Sequence, residues 1–127
     1  MCSGVFDIFH VGHLDYLKAA KRLGVHLLVG VTADKHVRKG PGRPVFNQIQ
    51  RASMLRALRC VDEVIVYDEP IPYDLILKYK PDIYAKGREY EGRLPEQGMV
   101  EALGSRVVFI DTPVYSSSEL VRKIIKC

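Results

Sequence analysis

Short apolar runs alternate with amphipathic stretches along this entire chain, and that alternation restricts it to one fold class. Residues 1–6 read as a short buried strand ending in a turn. Residues 12–23 read as a helix, with Leu14, Leu17, Ala20 and Leu23 on one broad face and Lys18, Lys21 and Arg22 mostly off it. Gly24 is placed to stop it. Residues 26–32 are almost continuously apolar, as a parallel strand covered on both sides must be. A polar loop, 33–46, leads to Asn47 and Gln50, spaced as a capping box for a helix over 48–58 with Ile49, Met54, Leu55 and Leu58 inward. Strands follow at Glu63–Tyr67, 82–85 and Arg106–Ile110. Between them lie helices at Tyr73–Tyr79, started by Pro72, and at 95–103, stopped at Gly104. Ser116, Ser117, Ser118 and Glu119 cap a last helix running to about Lys126. Strand–helix–strand order throughout predicts an α/β three-layer sandwich around a five-stranded parallel sheet. Ligands of such sheets sit beyond the carboxyl ends of the strands, where the loops after strands one, two, four and five converge.

Composition narrows the function classes. The 127 residues suit one domain, with 47% apolar and 27% charged residues, as in an ordinary globular protein. No apolar run approaches the roughly 20 residues that span a bilayer, and no charged segment precedes an apolar one at the start, so neither membrane nor export is expected. Cys2, Cys60 and Cys127 are odd in number and lack metal-ligand spacing, which suits a reduced, cytoplasmic protein with no protein-held metal. The net charge of +4 is scattered, without a nucleic-acid motif, and suits a small polyanionic ligand.

The chemistry concentrates at the first strand-to-helix turn, Gly4-Val5-Phe6-Asp7-Ile8-Phe9-His10-Val11-Gly12-His13. A helix start offers unpaired N–H groups and the positive end of the dipole, which attract phosphate. His10 and His13 can donate hydrogen bonds there as charge builds up in a transition state, and Gly12 lets the backbone approach a ligand. Asp7 orients the turn or a histidine, or simply forms the turn; both remain open. Lys35, His36, Arg38, Lys39 and Arg43, interleaved with Gly40, Pro41, Gly42 and Pro44, suit a lid over a triphosphate, although alone this loop reads more readily as solvated surface. Lys86-Gly87-Arg88-Glu89-Tyr90 follows a strand at the same edge. Tyr115 to Ser118 offer hydroxyls and free N–H groups at a helix start, for capping, for phosphate, or for both.

The first string resembles the H-x-G-H signature of the cytidylyltransferase-like nucleotidyltransferases, G-T-F-D-x-x-H-x-G-H, with Val5 the departure. The serine segment resembles their I-S-T-S signature, although Asp111 stands where the glycerol- and choline-phosphate cytidylyltransferases carry an arginine. The 86–90 string is similar to the K-G-G-D-Y of heptose-phosphate adenylyltransferase domains, and the Lys39-Gly40, Arg43-Pro44-Val45 and Gln50-Arg51 spacing agrees with it.

That resemblance implies a Rossmann-like nucleotidyltransferase fold over 1–127, either a short family member or one domain cut from a longer protein. It implies transfer of a nucleotidyl group, from ATP, to a sugar phosphate such as heptose 1-phosphate, with pyrophosphate released. His10, His13 and Lys39 would be catalytic. Gly4, Val5, Phe6, Gly12, Arg43, Arg51, Lys86, Gly87, Glu89, Tyr115, Ser116, Ser117 and Ser118 would bind nucleotide. Asp7 and Tyr90 would meet the acceptor. Mg²⁺ would arrive with the triphosphate rather than in a protein cage, and the chain would form a homodimer. The alternatives are a cytidylyltransferase for glycerol 3-phosphate or another polyol phosphate, an FMN adenylyltransferase, and an inert nucleotide-binding module.

Overall fold

The computed structural model describes residues 1–111. Its elements run β1 (Cys2–Gly4), α1 (Val11–Arg22), β2 (Leu28–Thr32), α2 (Gln48–Arg56), β3 (Glu63–Tyr67), α3 (Tyr73–Tyr79), β4 (Ile83–Gly87), α4 (Gln97–Ala102) and β5 (Arg106–Ile110). Single 3₁₀ turns at Asp34–His36 and Arg88–Tyr90 follow β2 and β4. The expected last helix, and Tyr115 to Ser118 with it, lie outside the described residues.

The five strands form one parallel sheet in the order β3-β2-β1-β4-β5. The chain therefore builds outward from β1 in one direction, then returns to its other side with β4. The order reverses between β1 and β4, and a parallel sheet opens a crevice at such a point beyond its carboxyl edge. The loops carrying His10–His13 and Lys86–Tyr90 both leave the sheet there.

Side-chain alternation along the strands separates two cores. Cys2, Val29, Val31, Val64 and Ala85 pack with Leu17 of α1 and Ala52 and Leu55 of α2. Leu28, Tyr67 and Tyr84 pack on the opposite face with Leu75 and Ile76 of α3 and Val100 of α4. All five residues of β2 are buried, as their unbroken apolar character predicted. Gly30 of β2 is required by this packing. A methyl group there would stand 2.9 Å from Leu75 Cδ2 and 3.2 Å from the Tyr67 ring. Gly30→Ala should destabilise the chain by about 1–3 kcal/mol through overpacking, measured as a lower urea midpoint.

Two expectations are corrected. In α2, Ile49 and Met54 are 71% and 52% exposed, whereas Arg51, Ala52 and Leu55 are buried. The inward stripe runs 51, 52, 55, with Leu58 packed at its end, because a buried arginine occupies one of its positions. Strand β4 extends through Lys86 and Gly87, which were expected in a loop. A lysine continues a buried strand here because the Ser3 carbonyl accepts from its Nζ and the Tyr90 ring lies beside it, as described below.

Candidate active site

His10 is the N-cap of α1, and the two histidines close that helix end on each other. The Gly12 N–H donates to His10 Nδ1 at 3.1 Å, and the His10 N–H donates to His13 Nδ1 at 3.2 Å. An imidazole nitrogen that accepts a backbone N–H carries no proton, so each neutral ring keeps its proton on Nε2. The rings stack with centroids 3.9 Å apart and 26° between planes. Phe6 meets His13 edge-on at 5.5 Å, and Phe9 lies against it at 5.3 Å. The sequence thus builds two stacked, tautomer-fixed Nε2–H donors at a helix start. The connecting turn is held in unusual backbone geometry, with Phe6 and Ile8 at φ of 53° and 51°. Gly4 is needed beneath it, since a Cβ would come within 3.0 Å of the Phe6 ring.

His13 is pushed down to about 4, first by burial, then by His10 and Lys39, with Asp7 opposing. It is therefore neutral at pH 7 in the free chain. Lys39 stands near enough to act on it electrostatically. Burial, with Arg43 and Arg51 adding and Asp7 opposing, holds the Lys39 ammonium below the usual lysine range. The structure thus brings His10, His13, Lys39, Asp7 and Arg43 together.

Asp7, expected at the acceptor, has a different place. It is fully buried, and its carboxylate accepts from Arg43 Nε at 2.8 Å, Val45 N at 2.7 Å and Phe46 N at 3.0 Å. It therefore clamps the cationic loop against the first turn. Arg51, expected on the nucleotide, is 2% exposed; it donates to Phe46 O, Val5 O and Asp34 Oδ1 at 3.0, 2.8 and 2.7 Å. We assign it to tying α2, the loop and the end of β1 together, because its nitrogens are committed to chain atoms. The Val5 carbonyl is one end of that tie.

At the β4 side, Lys86 lies beneath the edge rather than at it. It is 8% exposed; Nζ donates to Ser3 O at 3.1 Å and stands 4.4 Å from the Tyr90 ring centroid. Glu89 folds its carboxylate over Gly87, where a Cβ would collide with it. Tyr90 is partly exposed on the same turn. An apolar cavity of about 420 Å³ lies at the opposite, amino edge of the sheet, among Leu23, Leu28, Tyr79 and Ile83, and contains none of these groups.

Comparison with known proteins gives the family. The family described as cytidylyltransferase-like matches residues 1–123. The chain belongs to that family. It is 42% identical over 126 residues to the bifunctional protein HldE of Methylobacillus flagellatus, covering 96% of this chain and 26% of that protein. It is 46% identical over 111 residues to HldE of Streptomyces coelicolor, covering 85% and 24%. The chain thus spans about a quarter of the length of these relatives. The crystal structure of a lipopolysaccharide core biosynthesis protein from Thermoplasma volcanium superposes with a TM-score of 0.73 at 34% identity, covering 91% of this chain and 96% of that one.

As a cytidylyltransferase-like nucleotidyltransferase, the chain holds some site residues that its sequence did not disclose. Asp34 fixes Arg51, and Gln48 Oε1 accepts from the Asp34 N–H at 2.9 Å. Ser3 accepts from Lys86 through its carbonyl, and its hydroxyl is linked through Tyr84 to Glu96. Only a buried charge needing a partner marks them, and burial is not visible in one sequence. The low His13 value carries a pH signature. The unfolded chain binds a proton near pH 6.5 that the folded chain takes up only near 4, so the stability from neutral His13 is present above 6.5 and lost as pH falls toward 4. Between pH 7 and pH 5, the urea midpoint of the parent should therefore drop more than that of His13→Ala. No helix among the described residues is long and apolar enough to cross a membrane.

Proposed function

We propose that this domain transfers an adenylyl group from ATP to the phosphate of a sugar phosphate of the heptose 1-phosphate class. The observation that carries it is the His10–His13 pair, stacked and fixed as Nε2–H donors at the start of α1 near Lys39. An acceptor phosphate oxygen attacks the α-phosphorus. The bond from that phosphorus to the bridging oxygen of the β-phosphate breaks, and pyrophosphate leaves with the electron pair. The attacking oxygen is already anionic, so no strong general base is required. What the chain must supply is placement and neutralisation of charge. Two N–H donors and an ammonium do this, and neutral imidazoles accept the growing negative charge without first needing a proton.

The donor set here is imidazole N–H and cationic nitrogen, which suits phosphate oxygens. Mg²⁺ would accordingly arrive as part of the triphosphate substrate and help neutralise its charge. The sugar-phosphate acceptor is supported by the Thermoplasma neighbour, a lipopolysaccharide core biosynthesis protein, and by the resemblance of residues 86–90 to the heptose enzymes. We place the reaction in the cytoplasm, with the domain as a homodimer.

The test is pyrophosphate release from the purified chain with MgATP or MgCTP, each with heptose 1-phosphate, glycerol 3-phosphate or FMN. Release with ATP and the heptose is expected. Faster release with CTP and glycerol 3-phosphate overturns the adenylyl assignment, and release only with FMN overturns the acceptor. No release with any pair identifies an inert nucleotide-binding module.

A further inference from the structure

A buried polar strip crosses the α3/α4 face of the sheet just below its carboxyl edge. Thr32 Oγ1 and Tyr67 Oη share a hydrogen bond of 2.6 Å, and Ser3 Oγ and Tyr84 Oη share one of 2.7 Å. Tyr84 Oη donates to Glu96 Oε2 at 2.6 Å, and Lys86 Nζ donates to Ser3 O. Glu96, just before α4, is 4% exposed, and Lys86 is 8% exposed. A charge removed from water needs a counter-charge nearby. Among the described residues, the other two buried charged ones, Asp7 and Arg51, each have a direct one, in Arg43 and Asp34. Lys86 and Glu96 lie on one buried strip, joined through Ser3 and Tyr84. The Glu96 charge is the largest influence opposing the desolvation of the Lys86 ammonium.

The ammonium stands 4.4 Å from the Tyr90 ring centroid, and Arg93 flanks the same ring at 5.8 Å. Attraction to a ring face requires a cation; a neutral amine forfeits it. The charge state of Lys86 thus bears on where the Arg88–Tyr90 turn rests, and that turn lies beside the crevice between β1 and β4.

We propose that Glu96 is a positioning residue for the transfer site: its buried carboxylate, braced by Tyr84 and Ser3, keeps Lys86 charged against the Tyr90 ring and so fixes the turn that presents Glu89 and Tyr90 to the substrates. The role in catalysis rests on the transferase function proposed above; the electrostatic part does not. The groups that act on Lys86 are Glu96 from the head of α4, Glu89 and Tyr90 from the turn and the Ser3 carbonyl from β1 on its own side of the sheet, with the Cys2 thiol acting from the other face. Cys2 is buried, which pushes its thiol up to about 11 and leaves it neutral in the working range.

The experiment is a carbon-13 NMR titration of lysine-labelled full chain, with Lys86→Met identifying the Lys86 signal. Glu96→Gln should lower the Lys86 midpoint by one unit or more, a tenfold loss of proton affinity. Tyr84→Phe removes the brace but keeps the charge, and should move the midpoint by less than half as much. A folded Glu96→Gln with an unmoved midpoint overturns the proposal. A second measurement needs no variant: in the parent, the Tyr90 ring signals should titrate with the Lys86 midpoint, and failure to track it also overturns the proposal. In the pyrophosphate assay, Glu96→Gln should raise the acceptor KM about tenfold, more steeply with rising pH, and Glu96→Asp should recover much of the loss. An active parent whose pH profile Glu96→Gln leaves unchanged sinks the positioning role. An inactive parent sinks the transferase function, while the titrations still decide whether Glu96 sets the charge of Lys86.

Discussion

His13→Ala should lower turnover by about 10²–10³-fold, the range for losing one preorganised donor worth about 2.7–4 kcal/mol in the transition state. Its structural cost should be small by comparison. The variant loses one cap contact, from the His10 N–H, and such a cap is worth about 1 kcal/mol. The measurement is steady-state pyrophosphate release beside a urea unfolding curve. A fall in turnover below tenfold would remove His13 from the chemistry and leave it as a helix cap. His10→Ala should behave alike, because Gly12 caps on His10 as His10 caps on His13. The double variant should be far from additive, since the two rings stack on each other and act as a unit.

Asp7→Ala should be the most destabilising single change near the site, at about 3–5 kcal/mol. It leaves the Arg43 guanidinium, 6% exposed, beside two backbone N–H groups without their acceptor. The loop carrying Lys39 should loosen with it, so the KM for the triphosphate should rise more than the KM for the acceptor. Urea unfolding and initial rates check the two parts. A loss under 1 kcal/mol would show that the Asp7–Arg43 pair contributes little net stability. Replacing both residues with apolar ones should recover part of the loss, because the stranded charge is then gone. Burial pushes the Asp7 carboxyl up, but the Phe46 and Val45 N–H groups and Arg43 together outweigh it and hold it below its ordinary value of 3.8. Its stabilising contribution is therefore complete above that value and is lost as pH falls through the lower, folded one.

The element pattern was legible because periodicity is a local property. β3, α3 and β5 fall where their apolar spacing placed them, and the Asn47–Gln50 capping box forms as its spacing implied. The histidine turn was legible because its partners lie within three residues, at Gly12 and His13. The roles of Asp7, Arg51 and Lys86 were not. Each is a charged side chain, which a periodic pattern assigns to solvent, and each is buried against groups far away in sequence. Asp7 meets Arg43 36 residues on, Arg51 meets Val5 46 residues back, and Lys86 meets Ser3 83 residues back.

By itself, then, the sequence determined the α/β alternation, the parallel sheet and the placing of two imidazoles at a helix start. These depend on near neighbours and on burial of apolar faces. Only the tertiary structure decided the order β3-β2-β1-β4-β5, and with it that two loops distant in sequence leave the sheet on either side of the β1/β4 switch point. It also decided which charges are buried and which chain atoms they hold. A charge can be buried only where folding brings an opposite charge or a backbone dipole to it, and that encounter is fixed by long-range packing, not by spacing along the chain.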